Sequence, residues 1–113
     1  MAAGDVVIGA KYVDWHGLIN KVMVTGTVTL DAENPTPIDL AAYVTSLDGA
    51  VVSLEGSTAP GADPTQISSA ISGTIVNVYA WKITAADNGA LIASTDNTRL
   101  VNFIAIGTKK AGL

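Results

Sequence analysis

VMVTGTVTL, residues Val22 to Leu30, alternates between two kinds of side chain with a period of two. One face of the stretch carries Val22, Val24, Gly26, Val28 and Leu30, and the other carries Met23, Thr25, Thr27 and Thr29. Such alternation, with many β-branched residues, predicts a half-buried β-strand. We expect the valine face to join a hydrophobic core and the threonine face to be solvated.

A second stretch, TIVNVYAWKIT at Thr74 to Thr84, is apolar on both faces. This pattern is typical of a central strand or of a strand covered by a partner. Shorter strands are predicted over Asp5 to Tyr12, Ala90 to Ser94 and Leu100 to Thr108. The segment from Thr65 to Ser72 shows no clear preference.

Turn signals separate these strands. Pro35 and Pro37 cannot donate ladder hydrogen bonds, so Asp31 to Pro37 is predicted to be a loop or a strand edge. Asp48-Gly49 lies between two apolar segments and predicts a tight hairpin turn, because this pair tolerates positive φ angles. A short helix over Ile38 to Ser46 is the alternative there. Further loops or turns are expected at Gly56 to Pro64, Asp87 to Gly89 and Asp96-Asn97.

The spacing of strands and turns predicts the fold class. Seven or eight short strands, with turns roughly every 8–12 residues, are typical of an antiparallel β-sandwich or a small barrel. A chain of 113 residues suits one domain. We therefore expect a single all-β domain over residues 1–113.

The charge balance argues against several partners. Six basic residues against ten acidic ones give a net charge of −4, and the basic residues are mostly scattered, so nucleic acid is not an expected partner. Residues 65–81 are uncharged but too polar for a membrane span. The first residues lack the basic region of a secretory signal, so we expect synthesis without an export signal.

Catalytic groups are scarce in this sequence. His16 is the single histidine, there is no cysteine, and no Gly-x-Ser-x-Gly motif is present. The carboxylate pairs Asp31 with Glu33 and Asp87 with Asp96 could in principle serve glycoside hydrolysis. Acidic residues in turns more often accept hydrogen bonds from backbone amides. We therefore predict that the protein is not an enzyme and that His16 has a packing or surface role.

The sequence offers few residues for ion, cofactor or stacking sites. Oxygen-rich sets that could bind calcium are Asp31, Glu33, Asn34 and Asp39, and Asp87, Asn88, Asp96 and Asn97, but neither has EF-hand spacing. No phosphate-binding glycine loop occurs. We predict no metal and no cofactor. The aromatic residues that could form a stacking platform are Trp15, Tyr79, Trp81 and Phe103, although most should anchor the core.

The composition favours contacts with neighbouring subunits. Only 14% of the residues are charged, against about 25% in ordinary globular domains. Small domains cannot hide a large apolar surplus inside one copy. We expect part of it to be buried in an assembly, and the candidate interface residues are Val6, Val7, Ile8 and Trp81.

The stretch TIVNVYAWKITAADNGALIASTDNTRLVNFIAIG, Thr74 to Gly107, resembles the end of small β-proteins encoded among the virion genes of tailed phages. The shared features are a VYAWK strand, a turn, an ALIAST segment and a closing NFIAIG strand. The resemblance implies a structural role in the virion, as a capsid decoration (cement) protein or a tail component. Expected partners are copies of the chain, the major capsid protein or another virion protein. A carbohydrate-binding or adhesive β-sandwich is the alternative.

Overall fold

The computed structural model describes residues 2–14, 19–57, 63–83 and 91–113, and these form eight β-strands. The strands are β1 (Val6–Val13), β2 (Lys21–Thr29), β3 (Thr36–Asp39), β4 (Val44–Leu54), β5 (Gln66–Ser72), β6 (Ile75–Ile83), β7 (Leu91–Ala93) and β8 (Leu100–Lys109). The described residues contain no helix. The all-β prediction is confirmed, and the alternative of a helix over Ile38 to Ser46 is wrong.

Two antiparallel sheets form a sandwich. The first sheet has the order β1-β2-β8-β4, and the second has the order β3-β6-β5, with β7 also paired to β6. β3 and β7 pair with opposite halves of β6, while β5 runs along its other side. β6 is therefore a central strand, as the sequence predicts. β3 contains Pro37 and lies at the edge of its sheet, where a missing amide hydrogen is tolerated.

The core lies between the inner faces of the two sheets. Val22, Val24 and Val28 of β2 are completely buried, which confirms the predicted valine face. The other buried apolar residues are Leu30, Ile38, Leu40, Val44, Val76, Val78, Ala80, Val101, Phe103 and Ala105. Because both sheets contribute to this one cluster, each covers the apolar face of the other.

Gly26 interrupts the valine row for a steric reason. A Cβ atom at this position would lie 2.3 Å from the carbonyl oxygen of Val7 and 3.0 Å from the ring of Phe103. Real Cβ atoms do not approach backbone atoms so closely, so only glycine fits between β1 and the aromatic ring.

The predicted solvation of the threonine face is wrong at one position. Thr25 and Thr27 are half-buried, but Thr29 is only 1% exposed. The chain before β1 runs beside it: the Gly4 amide donates to the Thr29 carbonyl at 2.9 Å, and the Thr29 amide donates to the Asp5 carbonyl at 3.0 Å. The N-terminal segment therefore lies beside the end of β2 and fixes its backbone there.

The predicted hairpin at Asp48-Gly49 is also wrong. β4 runs without interruption from Val44 to Leu54 and pairs with β8 along this whole length. Gly49 does not adopt a positive φ angle. Asp48 is instead the extra residue of a register shift between Leu47 and Gly49, and its carboxylate accepts a hydrogen bond from Lys21 at 2.6 Å. The long partner strand β8 outweighs the local turn preference of the Asp-Gly pair.

The shorter segments form strands β5, β7 and β8. The ambiguous stretch after Thr65 forms β5, and the predicted strands near Ala90 and Leu100 form β7 and β8. The predicted turn at Asp87 to Gly89, Trp15 and His16, and part of the loop from Gly56 to Pro64 lie outside the described residues.

Candidate interaction surfaces

In the described part of the chain, no strand packs on the outer side of the first sheet. Its side chains form three rows across β1, β2, β8 and β4. The rows are Tyr12-Met23-Ile106-Gly49, Ala10-Thr25-Ile104-Val51 and Val7-Thr27-Asn102-Ser53. We call these twelve residues the outer face. None of them is charged.

Large apolar side chains on the outer face are strongly exposed. Val51 is 68% exposed, Ile104 is 50%, Val7 is 46% and Tyr12 is 42%. Single exposed apolar residues are ordinary on a protein surface, but a contiguous apolar patch, as Tyr12, Met23, Ile106, Ile104 and Val51 form here, is typical of an interaction site. The outer face combines these exposed residues with half-buried Met23 and Ile106 in adjoining positions.

Charge is gathered at the two ends of the sandwich. In the described strands, three charged residues lie at interior positions: Lys11, Asp48 and Lys82. The other charged residues of these strands occupy a first or last position. Lys11 is held over the ring of Tyr43, 5.7 Å from its centroid. At the same end, ion pairs of 2.6 Å join Lys21 to Asp48 and Lys109 to Asp14.

These ion pairs tie together the strand ends beside the first sheet. Asp14 accepts hydrogen bonds from Lys109 and from the Asn20 amide, and these contacts hold the pKa of its carboxyl below the usual range despite some desolvation. Asp14 and Asn20 both have positive φ angles, of 51° and 64°. The arrangement fixes the ends of β1, β2 and β8 relative to one another.

A buried serine contacts a carboxylate at the other side of the molecule, which sequence patterns do not indicate. The Ser94 hydroxyl is 4% exposed and donates to Asp63, which also accepts from the Thr95 hydroxyl at 2.8 Å. Partial burial raises the pKa of Asp63, but these hydrogen bonds, with Lys82 nearby, outweigh it and lower the pKa overall. Since the Ser94 hydroxyl also accepts from the Asp96 amide, the group joins two loops.

The second sheet carries the aromatic pair. Tyr79 and Trp81 lie on the outward side of β6, with ring centroids 6.1 Å apart and planes inclined by 11°. The Trp81 indole donates to the Ser68 hydroxyl on β5 at 3.1 Å. Of the proposed stacking platform, these two residues are brought together. Phe103 is in the core at 2% exposure, so its inclusion is wrong.

The predicted interface residues occupy two separate places. Val6, Val7 and Ile8 lie on β1, at one edge of the first sheet, with Val6 36% exposed. In the described chain only one long side of β1 is paired, and unpaired strand edges are templates for another chain. Trp81 lies on the other sheet. The four residues therefore do not form one continuous surface.

The acidic residues of the turns accept hydrogen bonds from the backbone, as predicted. Asp31 accepts from the Thr36 hydroxyl at 2.7 Å and from the Glu33 amide at 2.9 Å. Asn34 accepts from the Ala80 amide at 2.9 Å, and Asp96 accepts from the Arg99 amide at 2.7 Å. Asp31 and Asp96 therefore organise their own loops, and Asn34 joins its loop to β6.

In the part of the chain that the structure describes, no group of three potential metal ligands and no cavity is found. Asp87 and Asn88 of the second calcium set lie outside that part. None of the described segments forms a helix with the length and hydrophobicity to cross a membrane.

Comparison with protein-family models, with curated protein sequences and with solved structures finds no match to this chain.

Proposed function

We propose that this protein is a non-enzymatic structural subunit of a viral particle, and that it acts as a capsid decoration protein. The observation that carries the proposal is the uncharged outer face of the first sheet. The resemblance of Thr74 to Gly107 to small virion β-proteins supplies the kind of assembly.

The role requires contact surfaces rather than reactive groups. Exposed apolar side chains on a flat sheet gain roughly 25 cal/mol for each square ångström that a neighbour removes from water. Carboxylates and ammonium groups would lose hydration in such a contact, and the outer face has none. A rigid sandwich also presents these side chains without a large ordering cost on binding.

Two surfaces are available for a shell protein. The edge at Val6, Val7 and Ile8 can extend the first sheet, because among the described strands β1 pairs with β2 alone. The outward side of the second sheet presents Tyr79 and half-buried Trp81. Either contact would leave the outer face of the first sheet free.

Shell binding tests the proposal directly. Shells assembled from the major capsid protein encoded in the same genome are mixed with the purified protein and separated on a density gradient. We expect cosedimentation in a fixed ratio and a higher temperature of shell disruption. Absence of cosedimentation with both immature and expanded shells would reject the capsid role.

Matched variants locate the contact. Val6→Glu should weaken shell binding, because it places a carboxylate at the edge of β1. Ile71→Glu is the control, since Ile71 is a similarly exposed apolar residue on the edge of the second sheet, at 40% against 36% for Val6. Equal binding by both variants would move the contact away from β1.

A second candidate function is carbohydrate binding, which the parallel rings of Tyr79 and Trp81 favour. Sugar rings pack on aromatic faces, and Ser68 and Gln66 lie beside the pair on β5. A glycan array with the wild-type protein and Trp81→Ala checks it. Specific glycan binding that the variant loses, together with no shell binding, would favour this alternative.

A further inference from the structure

The geometry points to a second copy of this chain as the occupant of the outer face, related to the first by a two-fold axis along the strands between β2 and β8. This inference rests on the proposed structural role and deepens it by naming one partner. The outer face consists, as defined above, of the three rows that cross β1, β2, β8 and β4.

The size of the first sheet is sufficient for a dimer. The three rows of the outer face span about five residues, or roughly 19 by 16 Å, in the middle of a sheet that measures roughly 19 by 30 Å, since its four strands lie about 4.8 Å apart and β2 has nine residues rising about 3.3 Å each. Two first sheets in contact over their whole length remove roughly 1,100 Å² of surface, which exceeds the approximately 1,000 Å² of a specific interface.

The distribution of charge allows two copies to approach. The chain carries a net charge of −4, yet the twelve residues of the outer face carry none. The adjacent charges at one end, Lys21 and Asp48, already neutralise each other at 2.6 Å. Like-charge repulsion is therefore kept away from the contact.

The rows are complementary under rotation about this axis. The rotation places β8 of the second copy over β2 and β4 of the second copy over β1. Tyr12 then faces Gly49 of the second copy, and Ala10 faces Val51 of the second copy. Thr25 faces Ile104 of the second copy, and Val7 faces Ser53. Each strongly exposed large side chain meets a smaller one, as interdigitated packing requires, and the half-buried Met23 meets the half-buried Ile106 of the second copy.

A two-fold axis perpendicular to the strands does not pair large side chains with small ones. It would place Val51 on Val51 of the second copy and Ile104 on Ile104, so that large side chains meet large ones. Aligned sheets pack with their strands about 30° apart because of twist, which leaves the middle row in register. The axis along the strands is therefore the one that fits the surface.

Sedimentation velocity over a broad concentration range tests the dimer. We expect wild-type protein to dimerise, and Ile104→Glu to raise the dissociation constant at least about a hundredfold, because each dimer would bury two unpaired carboxylates. Ile71→Glu, on the edge strand of the other sheet, should dimerise as the wild type does. Val51→Glu, at a position 68% exposed, gives the same test if Ile104→Glu fails to fold.

Cross-linking tests the axis. The chain has no cysteine, so single cysteines can be placed at will. A mixture of Ala10→Cys and Val51→Cys proteins should be joined by a short bismaleimide. Ala10→Cys alone should not be, because the two β1 strands would lie at opposite sides of the interface, about 14 Å apart laterally.

Each outcome decides one statement. A monomer at all concentrations, or a dimer that survives both glutamate substitutions, would overturn the inference. Efficient cross-linking of Ala10→Cys to itself would overturn the axis. A monomeric protein that still binds shells would leave the proposed function standing, whereas a dimer that binds no shell would reject that function and keep the inference.

Discussion

The inner and outer faces of the first sheet are built from similar apolar residues but differ in what covers them. On β8, Phe103 is 2% exposed and its neighbour Ile104 is 50% exposed. On β2, the inward valines are buried while Met23, Thr25 and Thr27 are half-buried. The inner face is covered by the second sheet of the same molecule. Hydrophobicity alone therefore does not identify a core, since an uncharged sheet can be apolar on both sides.

The largest expected effect is on the free energy of unfolding, and it differs between two adjacent residues, Phe103 on the inner face and Ile104 on the outer face. Phe103→Ala should reduce the free energy of unfolding by about 3–5 kcal/mol, because it leaves a cavity between the sheets. Ile104→Ala should cost less than about 1 kcal/mol in the monomer, since half of that side chain is already in water. Urea denaturation at low protein concentration measures both. Equal losses would show that the outer face is covered within one copy.

A smaller loss of stability is expected when a side chain is added at Gly26 on the inner face. Gly26→Ala should destabilise the protein by about 1–3 kcal/mol, because the new Cβ would collide with the carbonyl of Val7. Gly9→Ala, on the neighbouring strand, is the control: its nearest contacts would be 3.5 Å away, an ordinary distance. If Gly26→Ala unfolds at the same denaturant concentration as Gly9→Ala, β1 and β2 are not packed as closely as described.

Local sequence patterns predicted the inner face but not its boundaries. The alternation in Val22 to Leu30 identifies the buried valines, because period-two burial is a property of each strand by itself. The backbone of Thr29 pairs with Gly4 and Asp5, which lie far away in sequence. No local pattern contains that pairing. The same holds for the candidate surface, since the three rows of the outer face combine four strands whose order the sequence does not specify.

A substitution at Thr29 should increase stability, whereas the substitutions at Phe103 and Gly26 should decrease it. Within the described residues its hydroxyl is buried and has no hydrogen-bond partner. Thr29→Val keeps the shape and removes the unsatisfied group, so it should raise the free energy of unfolding by about 1 kcal/mol. Thr27→Val, at a half-buried position of the outer face, should change it less. A loss of stability in Thr29→Val would indicate that the hydroxyl is hydrated.

The smallest expected effect is at Gly49, where sequence and structure disagree most directly. A hairpin turn would make Gly49→Val strongly destabilising, because a β-branched residue resists positive φ. In the structure Gly49 lies inside β4 without positive φ, and a Cβ atom there would meet nothing within 4 Å. We therefore expect the free energy of unfolding to change by no more than about 0.5 kcal/mol in Gly49→Val.

Gly73→Val, at a position with φ of 62° between β5 and β6, is the matched control and should be clearly less stable than the wild type. A loss at Gly49 equal to that at Gly73 would restore the hairpin and remove β4 as a continuous edge of the outer face. The same variant also tests the dimer, since Tyr12 of the second copy would then meet a larger side chain and association should weaken while the fold is retained.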